Sequence, residues 1–236
     1  MSNETRMMKN RGIWIWGIFA MFILTSMNVF AAPVPDTGQS TCYDAAGNLI
    51  SCPNSGQDFY GQDANYSINP PSYTKLDVNG NALAASSTSW VMVKDNVTGL
   101  IWEVKTDDGS IHDKDNTYTW YDPDPATNGG NAGTPGEGTD TDDFINALNS
   151  TGFGGYADWR MPDRKELHSI IDYGRYNPAI NTDYFPNTVW HGYWSSTTYS
   201  YDASKAVLAY FSSGGVGRHF KAYYVHYYVR AVRGGQ

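Results

Sequence analysis

Gly154-Gly155-Tyr156-Ala157-Asp158-Trp159-Arg160-Met161-Pro162-Asp163-Arg164-Lys165-Glu166-Leu167 joins a glycine turn, a short extended piece, a proline and a helix start without a break. Pro162 fixes its own φ and keeps Met161 out of the helical region, so the residues before it are extended. Asp163 caps the helix that follows, and Glu166, three residues on, completes a capping box. The helix is expected to bury Leu167, Ile170 and Ile171 and to stop at Gly174 as a left-handed residue. Trp159 and Met161 share one face of the extended piece and enter the core. Arg160 is left on the other face, where a half-buried guanidinium needs a fixed carboxylate from Glu166 or Asp158. Trp159, Arg160, Pro162 and Glu166 therefore read as a structural pin between sheet and helix, with no catalytic chemistry.

Outward from the pin, residues 141–149 have helical spacing, with acids at the positive end, Phe144 and Leu148 on one face and Gly152 beyond the end. Residues 73–76 and 90–94 read as strands around an Asp77-to-Asn81 turn, and a tight Asp95-to-Gly99 turn returns the chain through residues 100–105. Residues 206–211 form an apolar strand before a Ser-Ser-Gly-Gly turn. Two further blocks, Tyr193-Trp194-Ser195-Ser196-Thr197 and Tyr228-Val229-Arg230-Ala231-Val232-Arg233, complete the frame.

The chain has 236 residues, 15% aromatic and 41% hydrophobic, enough for a substantial core. Its net charge of -8 argues against nucleic acid or an anionic membrane as partner. The acids concentrate before Asp143, and bases slightly exceed acids from Asp158 onward. Arg6, Lys9 and Arg11 precede an apolar run ending in Val29-Phe30-Ala31, which reads as a secretory signal peptide over residues 1–31. An uncleaved N-terminal anchor is the alternative and the sole membrane contact expected. Either way the rest is exported, to the medium, the cell surface or the periplasm. Cys42 and Cys52 are the only cysteines and flank a hairpin-like stretch, so one disulfide is expected, worth about 2 to 3 kcal/mol. Residues 32–72 then form a linker and disulfide-stapled arm, and residues 73–236 the main domain.

Asp107, Asp108, Asp113 and Asp115 surround His112, and Asp122, Asp124, Asp140, Asp142 and Asp143 border a glycine-rich loop. Their spacing matches no EF-hand, so they read as solvated loop acids; no metal or cofactor is assigned, and calcium is the one ion such loops could hold.

The pin, the Asp95-Asn96-Val97-Thr98-Gly99-Leu100-Ile101-Trp102-Glu103 stretch, the Tyr193 block and the closing Tyr228 block resemble, in this order, the Lcl C-terminal domain family, named after a bacterial collagen-like adhesin. The Trp-Arg-Met-Pro run is also similar to one in the formylglycine-generating-enzyme-like branch of C-type lectin folds. The resemblance implies an α+β, C-type-lectin-like domain with two helices and a twisted antiparallel sheet. The copper-dependent oxidase chemistry of that branch uses a C-terminal cysteine pair, which this chain lacks. Many family members carry two cysteines in the loop corresponding to residues 133–138; without them, that loop should be more mobile. The namesake binds sulfated polysaccharides, for which Arg218, Lys221, Arg230 and Arg233 are the candidate basic patch here.

The tail is rich in Tyr, His and Arg, which combine flat area with hydrogen-bonding tips. Tyr199, Tyr201, Asp202, Arg218, His219, Phe220, Tyr223, Tyr224, His226 and Tyr227 are the candidate ligand-binding residues, facing an extracellular glycan or protein. Domains of these families recur as targets of diversity-generating retroelements, whose edited Asn codons yield Tyr, His, Phe, Ser, Asp, Arg, Ala or Val. Every residue from Arg218 to Tyr227 except Lys221 belongs to that set. No nucleophile motif, Cys/His metal spacing or paired catalytic carboxylate stands out, so a non-catalytic adhesin-like recognition domain is expected. A structural subunit of an extracellular or envelope assembly is the alternative.

Overall fold

A computed structural model describes residues 33–234 apart from Glu137 and Tyr223. The expected signal peptide or anchor, and Tyr223, lie outside the described residues. No helix among the described residues is long and apolar enough to cross a membrane.

The arm begins with a two-stranded hairpin, β1 (Cys42–Tyr43) and β2 (Leu49–Ile50), closed by the Cys42–Cys52 disulfide as expected. The Asp44 carboxylate accepts the Ala46 and Asn48 amides at 2.9 and 2.8 Å, which builds the turn from one side chain. The arm is fastened to the domain where Tyr173 N donates to Thr37 O at 2.8 Å.

β3 (Tyr73–Leu76), β4 (Met92–Asp95), β5 (Ile101–Glu103) and β9 (Val232–Arg233) form a four-stranded antiparallel sheet in that order. β6 (Gly192–Thr198), β7 (Lys205–Tyr210) and β8 (Gly215–Phe220) form a second, three-stranded one. The antiparallel strands are thus shared between two sheets where one was expected. The returning tail touches both sheets: Tyr228 makes a single parallel bridge to Tyr193 of β6, and four residues later the chain pairs antiparallel with β5.

α1 (Thr141–Thr151) is capped by Asp140, whose carboxylate accepts Asp143 N, and ends at left-handed Gly152 (φ 63°). α2 (Arg164–Ser169) has the predicted capping box of Asp163 and Glu166. It stops earlier than expected, with Ile170 as a C-cap outside the left-handed region. Gly174 has another role: a Cβ there would lie 2.7 Å from Gly38 O, so the missing side chain admits the arm.

The three-stranded sheet has a core on each face. One contains Trp120, Phe144, Leu148, Trp159, Trp194 and Leu208; the other contains Trp102, Phe185, Tyr193, Ala209, Phe211, Leu167 of α2, and Ile170 and Ile171 just beyond it. The buried indoles of Trp120, Trp159 and Trp194 each donate to a backbone carbonyl at 2.9 Å, which offsets the cost of burying their N–H groups.

The pin forms as read. Arg160 pairs in two-pronged fashion with Glu166 at 2.7 and 2.6 Å, and Glu166 also accepts Asp163 N at 2.8 Å. Asp158 instead holds Arg233 at 2.7 Å. One carboxylate therefore caps a helix and anchors the strand residue before it. Glu166→Ala is expected to cost about 2 kcal/mol, because a two-pronged ionic hydrogen bond and half a capping box disappear together; urea unfolding measures it. A charged knot lies under the sheet. Buried Glu103 accepts Lys105 Nζ at 3.0 Å, His112 Nδ1 at 2.9 Å and the Ala231 amide at 3.0 Å. Buried Arg230 donates to Glu103 O at 2.7 Å and Thr188 Oγ1 at 2.8 Å.

Candidate ligand-binding face

The pleat of β8 sorts the predicted residues. Its burial alternates along Gly215–Phe220, so Val216, Arg218 and Phe220 point outward while Gly215, Gly217 and His219 point back. The backward row has little room: a Cβ at Gly217 would lie 2.3 Å from the Tyr210 ring. Gly217 thus allows Tyr210 to pack flat under the strand.

On the outward side, the β6–β7 turn brings aromatic rings to the strand. The Arg218 guanidinium rests 4.8 Å from the Tyr199 ring centre, and Lys205 Nζ lies 4.5 Å from that of Phe220. Tyr201 is 6.3 Å from Tyr199, centre to centre, and 90% exposed. Asp202 shapes the turn: it accepts the Ser204 amide at 3.1 Å and pairs with Lys205 at 2.9 Å. The Ser204 hydroxyl and Lys205 hold its carboxyl down to about 2.

His219 and Tyr227 face the other way, their ring centres 5.6 Å apart, and Tyr227 stacks on His191 at 5.6 Å and meets the edge of Trp194 at 5.0 Å. Burial, with Tyr210 alongside, pushes the Tyr227 hydroxyl up to about 12. This pair forms the rim of the core. Tyr224, 68% exposed, and His226, also exposed, lie on the loop that follows β8. The structure therefore brings Tyr199, Tyr201, Asp202, Arg218 and Phe220 together and separates His219 and Tyr227 from them. Lys205, which the sequence reading passed over, belongs with the first group; its cross-strand register with Phe220 is what places it there.

The candidate basic patch does not form. Lys221 and Arg230 are buried and Arg233 is paired with Asp158, which leaves Arg218 as the exposed member. Lys221 is a clamp. Its ammonium donates to Asn128 O at 2.9 Å, Asn131 O at 3.0 Å and Thr198 Oγ1 at 2.8 Å, and lies 3.8 Å from the Trp120 ring centre. It fastens the start of the glycine-rich loop, and Gly136 N donating to Asp140 at 2.8 Å fastens its end. These bonds hold the two ends of the loop whose residues 133–138 were expected to be more mobile for want of a disulfide.

Two acidic regions stand apart from the face. Carboxylate oxygens of Asp107, Asp113 and Asp115 lie within 4.8 Å of one another. Lys114 already bridges Asp107 and Asp115 at 3.1 and 2.8 Å, and Asp113 accepts the Asp108, Gly109 and Asp115 amides. Lys114 offsets part of the cluster's charge, and backbone amides take up the Asp113 carboxylate. A cleft of about 810 Å³ beside α1 is lined by residues including Trp120, Asp122, Asp142, Arg160, Met161 and Glu166. Burial, with Asp140, Asp143 and Asp122 nearby, raises the Asp142 carboxyl. The pin supplies one wall, and the others come from three separate stretches that no motif joins to it.

No curated protein and no solved structure matches the chain. The sequence profile of the Lcl C-terminal domain matches residues 91–233, which takes in β4 to β9 and both helices. With more than half its length in that match, the chain belongs to the Lcl C-terminal domain family.

Proposed function

We propose that the chain is an exported, non-catalytic, adhesin-like recognition domain that binds an extracellular glycan or protein through the outward side of β8 and the β6–β7 turn. The observation that carries this reading is the grouping of exposed Tyr201, Arg218 and Phe220 on a buried, hydrogen-bonded frame. Large rings held in the open cost free energy unless something covers them, and contiguous apolar and aromatic surface marks binding sites. The disulfide and the family membership both suit an extracellular setting. In this reading the two helices and antiparallel sheets form a C-type-lectin-like frame.

The same stretch suits the variable region of a diversity-generating retroelement. From Arg218 to Tyr227, the one residue outside the permitted set is Lys221, and Lys221 is the buried clamp. A scaffold residue would be spared while exposed neighbours vary. A reverse-transcriptase gene and an imperfect repeat of the codons for Tyr199 to Tyr227 beside this gene are the expected signs.

Glycan and extracellular-protein arrays test recognition. Triple replacement of Tyr201, Arg218 and Phe220 by Ala should weaken any array hit by about tenfold or more, as loss of aromatic and arginine anchors does elsewhere. Hits that bind the triple variant undiminished would place the site elsewhere.

A further inference from the structure

The backbone of β8 is as accessible as its side chains. β7 and β8 pair in unbroken register from Lys205↔Phe220 to Tyr210↔Gly215, and just beyond the ladder Lys221 N donates to Ser204 O at 2.8 Å. Antiparallel partners exchange hydrogen bonds at alternate positions, so the bonded pairs are Ala206/His219, Leu208/Gly217 and Tyr210/Gly215. The peptide groups of Val216, Arg218 and Phe220 therefore face away from β7. β8 is the edge of its sheet, and among the described residues no strand pairs with it on that side. The Phe220 amide is capped by His219 Nδ1 at 3.0 Å, which leaves the amides of Val216 and Arg218 and the carbonyls of all three without a hydrogen bond among the described residues. A groove of about 360 Å³ is lined by residues 217–220 of this strand together with Lys205 and Tyr210 of β7. β8 has no proline, lysine or bulge, and Arg218 is its one formally charged side chain.

We propose that this edge takes an extended strand of a partner protein, carrying an acidic residue opposite Arg218 and an apolar residue two positions away on each side. The inference rests on the recognition face described above and names its ligand class. The outward row reads apolar, cationic, apolar: Val216 is 52% exposed, Phe220 43%, and Arg218 lies between them. The Arg218 guanidinium meets the Tyr199 ring and no carboxylate of the described residues. Cross-strand neighbours on one face favour opposite charge and matching apolar pairs. A second copy of this chain fits poorly, because two-fold pairing centred on Arg218 sets like charges opposite each other and each copy carries a net charge of -8. Main-chain hydrogen bonds then supply affinity and the alternate side chains supply selectivity.

The test begins by panning a phage-displayed library of random peptides, about twelve residues long, on the purified full chain. Recovered sequences are made unmodified and with alternate backbone nitrogens methylated. The expected pattern is an acid flanked at two-residue spacing by apolar residues. Methylation of one alternate set should weaken binding about tenfold or more, and saturating peptide should slow exchange of the Val216 and Arg218 amide hydrogens by a similar factor. Selection on an Arg218→Glu chain should replace the central acid by Lys or Arg. Recovery of no peptide above background, equal binding by the methylated peptides, or unchanged exchange of those two amides would each overturn strand addition. An array ligand that still depends on Tyr201, Arg218 and Phe220 while these results are negative leaves the recognition face standing and rejects the strand alone. Loss of both rejects both.

Discussion

Glu103→Ala is expected to lower the free energy of unfolding by about 3–5 kcal/mol, the range seen when one member of a buried charged set is removed. Its carboxylate is the common acceptor for Lys105, His112 and the Ala231 amide, and its own carbonyl accepts Arg230. Burial alone would raise the Glu103 carboxyl, but Lys105 and the His112 hydrogen bond outweigh it and hold it below its ordinary value. Burial lowers both Lys105 and Arg230; Glu103 opposes this most strongly at Lys105, whereas at Arg230 Tyr193 acts ahead of it. Without the Glu103 carboxylate, Lys105 loses its ion pair and His112 and the Ala231 amide lose their acceptor in the same step, while Arg230 keeps the backbone carbonyl of residue 103 and Thr188. Glu103→Gln keeps the shape and part of the hydrogen bonding and should cost less than Ala. Urea unfolding of the two variants gives the ordering; equal and small losses would show that the knot is not held by charge.

Lys221→Ala is expected to cost about 2–4 kcal/mol. It removes a long side chain from a closed space and leaves the carbonyls of Asn128 and Asn131 without the donor shown here. The loss should be local: amides of residues 128–134 should exchange faster with solvent, while those of the β3–β4 ladder stay as protected as before. A pH series adds a second readout. Burial pushes the Lys221 amine down to about 8, whereas the unfolded chain holds that proton to about 10.4. Between those values the unfolded state binds more protons than the folded state, so folding becomes more favourable as pH rises. Wild type should therefore gain stability relative to Lys221→Met from pH 8 to 10.5. Parallel curves would mean that the amine does not titrate in that window.

The pin and both helix starts were legible in the sequence because capping and proline geometry act within a few residues. Asp163, Glu166, Pro162 and Gly152 each behave by local rules. The charged knot was not legible, since Glu103 and Arg230 are 127 residues apart and nothing in either neighbourhood names the other. The Lys221 clamp escaped for a different reason: two of its three acceptors are backbone carbonyls, which every residue carries and no motif marks. The role of Gly174 in admitting the arm was not legible either, being set by Gly38, far away in sequence. The candidate face was half legible. Residue types identified it, but strand periodicity turns His219 away from Arg218 and Phe220, and composition alone does not carry that alternation.

The central claim is a division of labour in the tail: inward residues such as Trp194, Leu208, Lys221 and Arg230 hold the frame, and the outward row is left for a ligand. Urea unfolding of the Tyr201, Arg218 and Phe220 triple Ala variant tests it most directly. The exposed side chains contribute ring and cation contacts only, so the free energy of unfolding should stay within about 2 kcal/mol of wild type. A loss above about 4 kcal/mol, of the size expected for Glu103→Ala, would show that the row holds the fold together and would contradict the account.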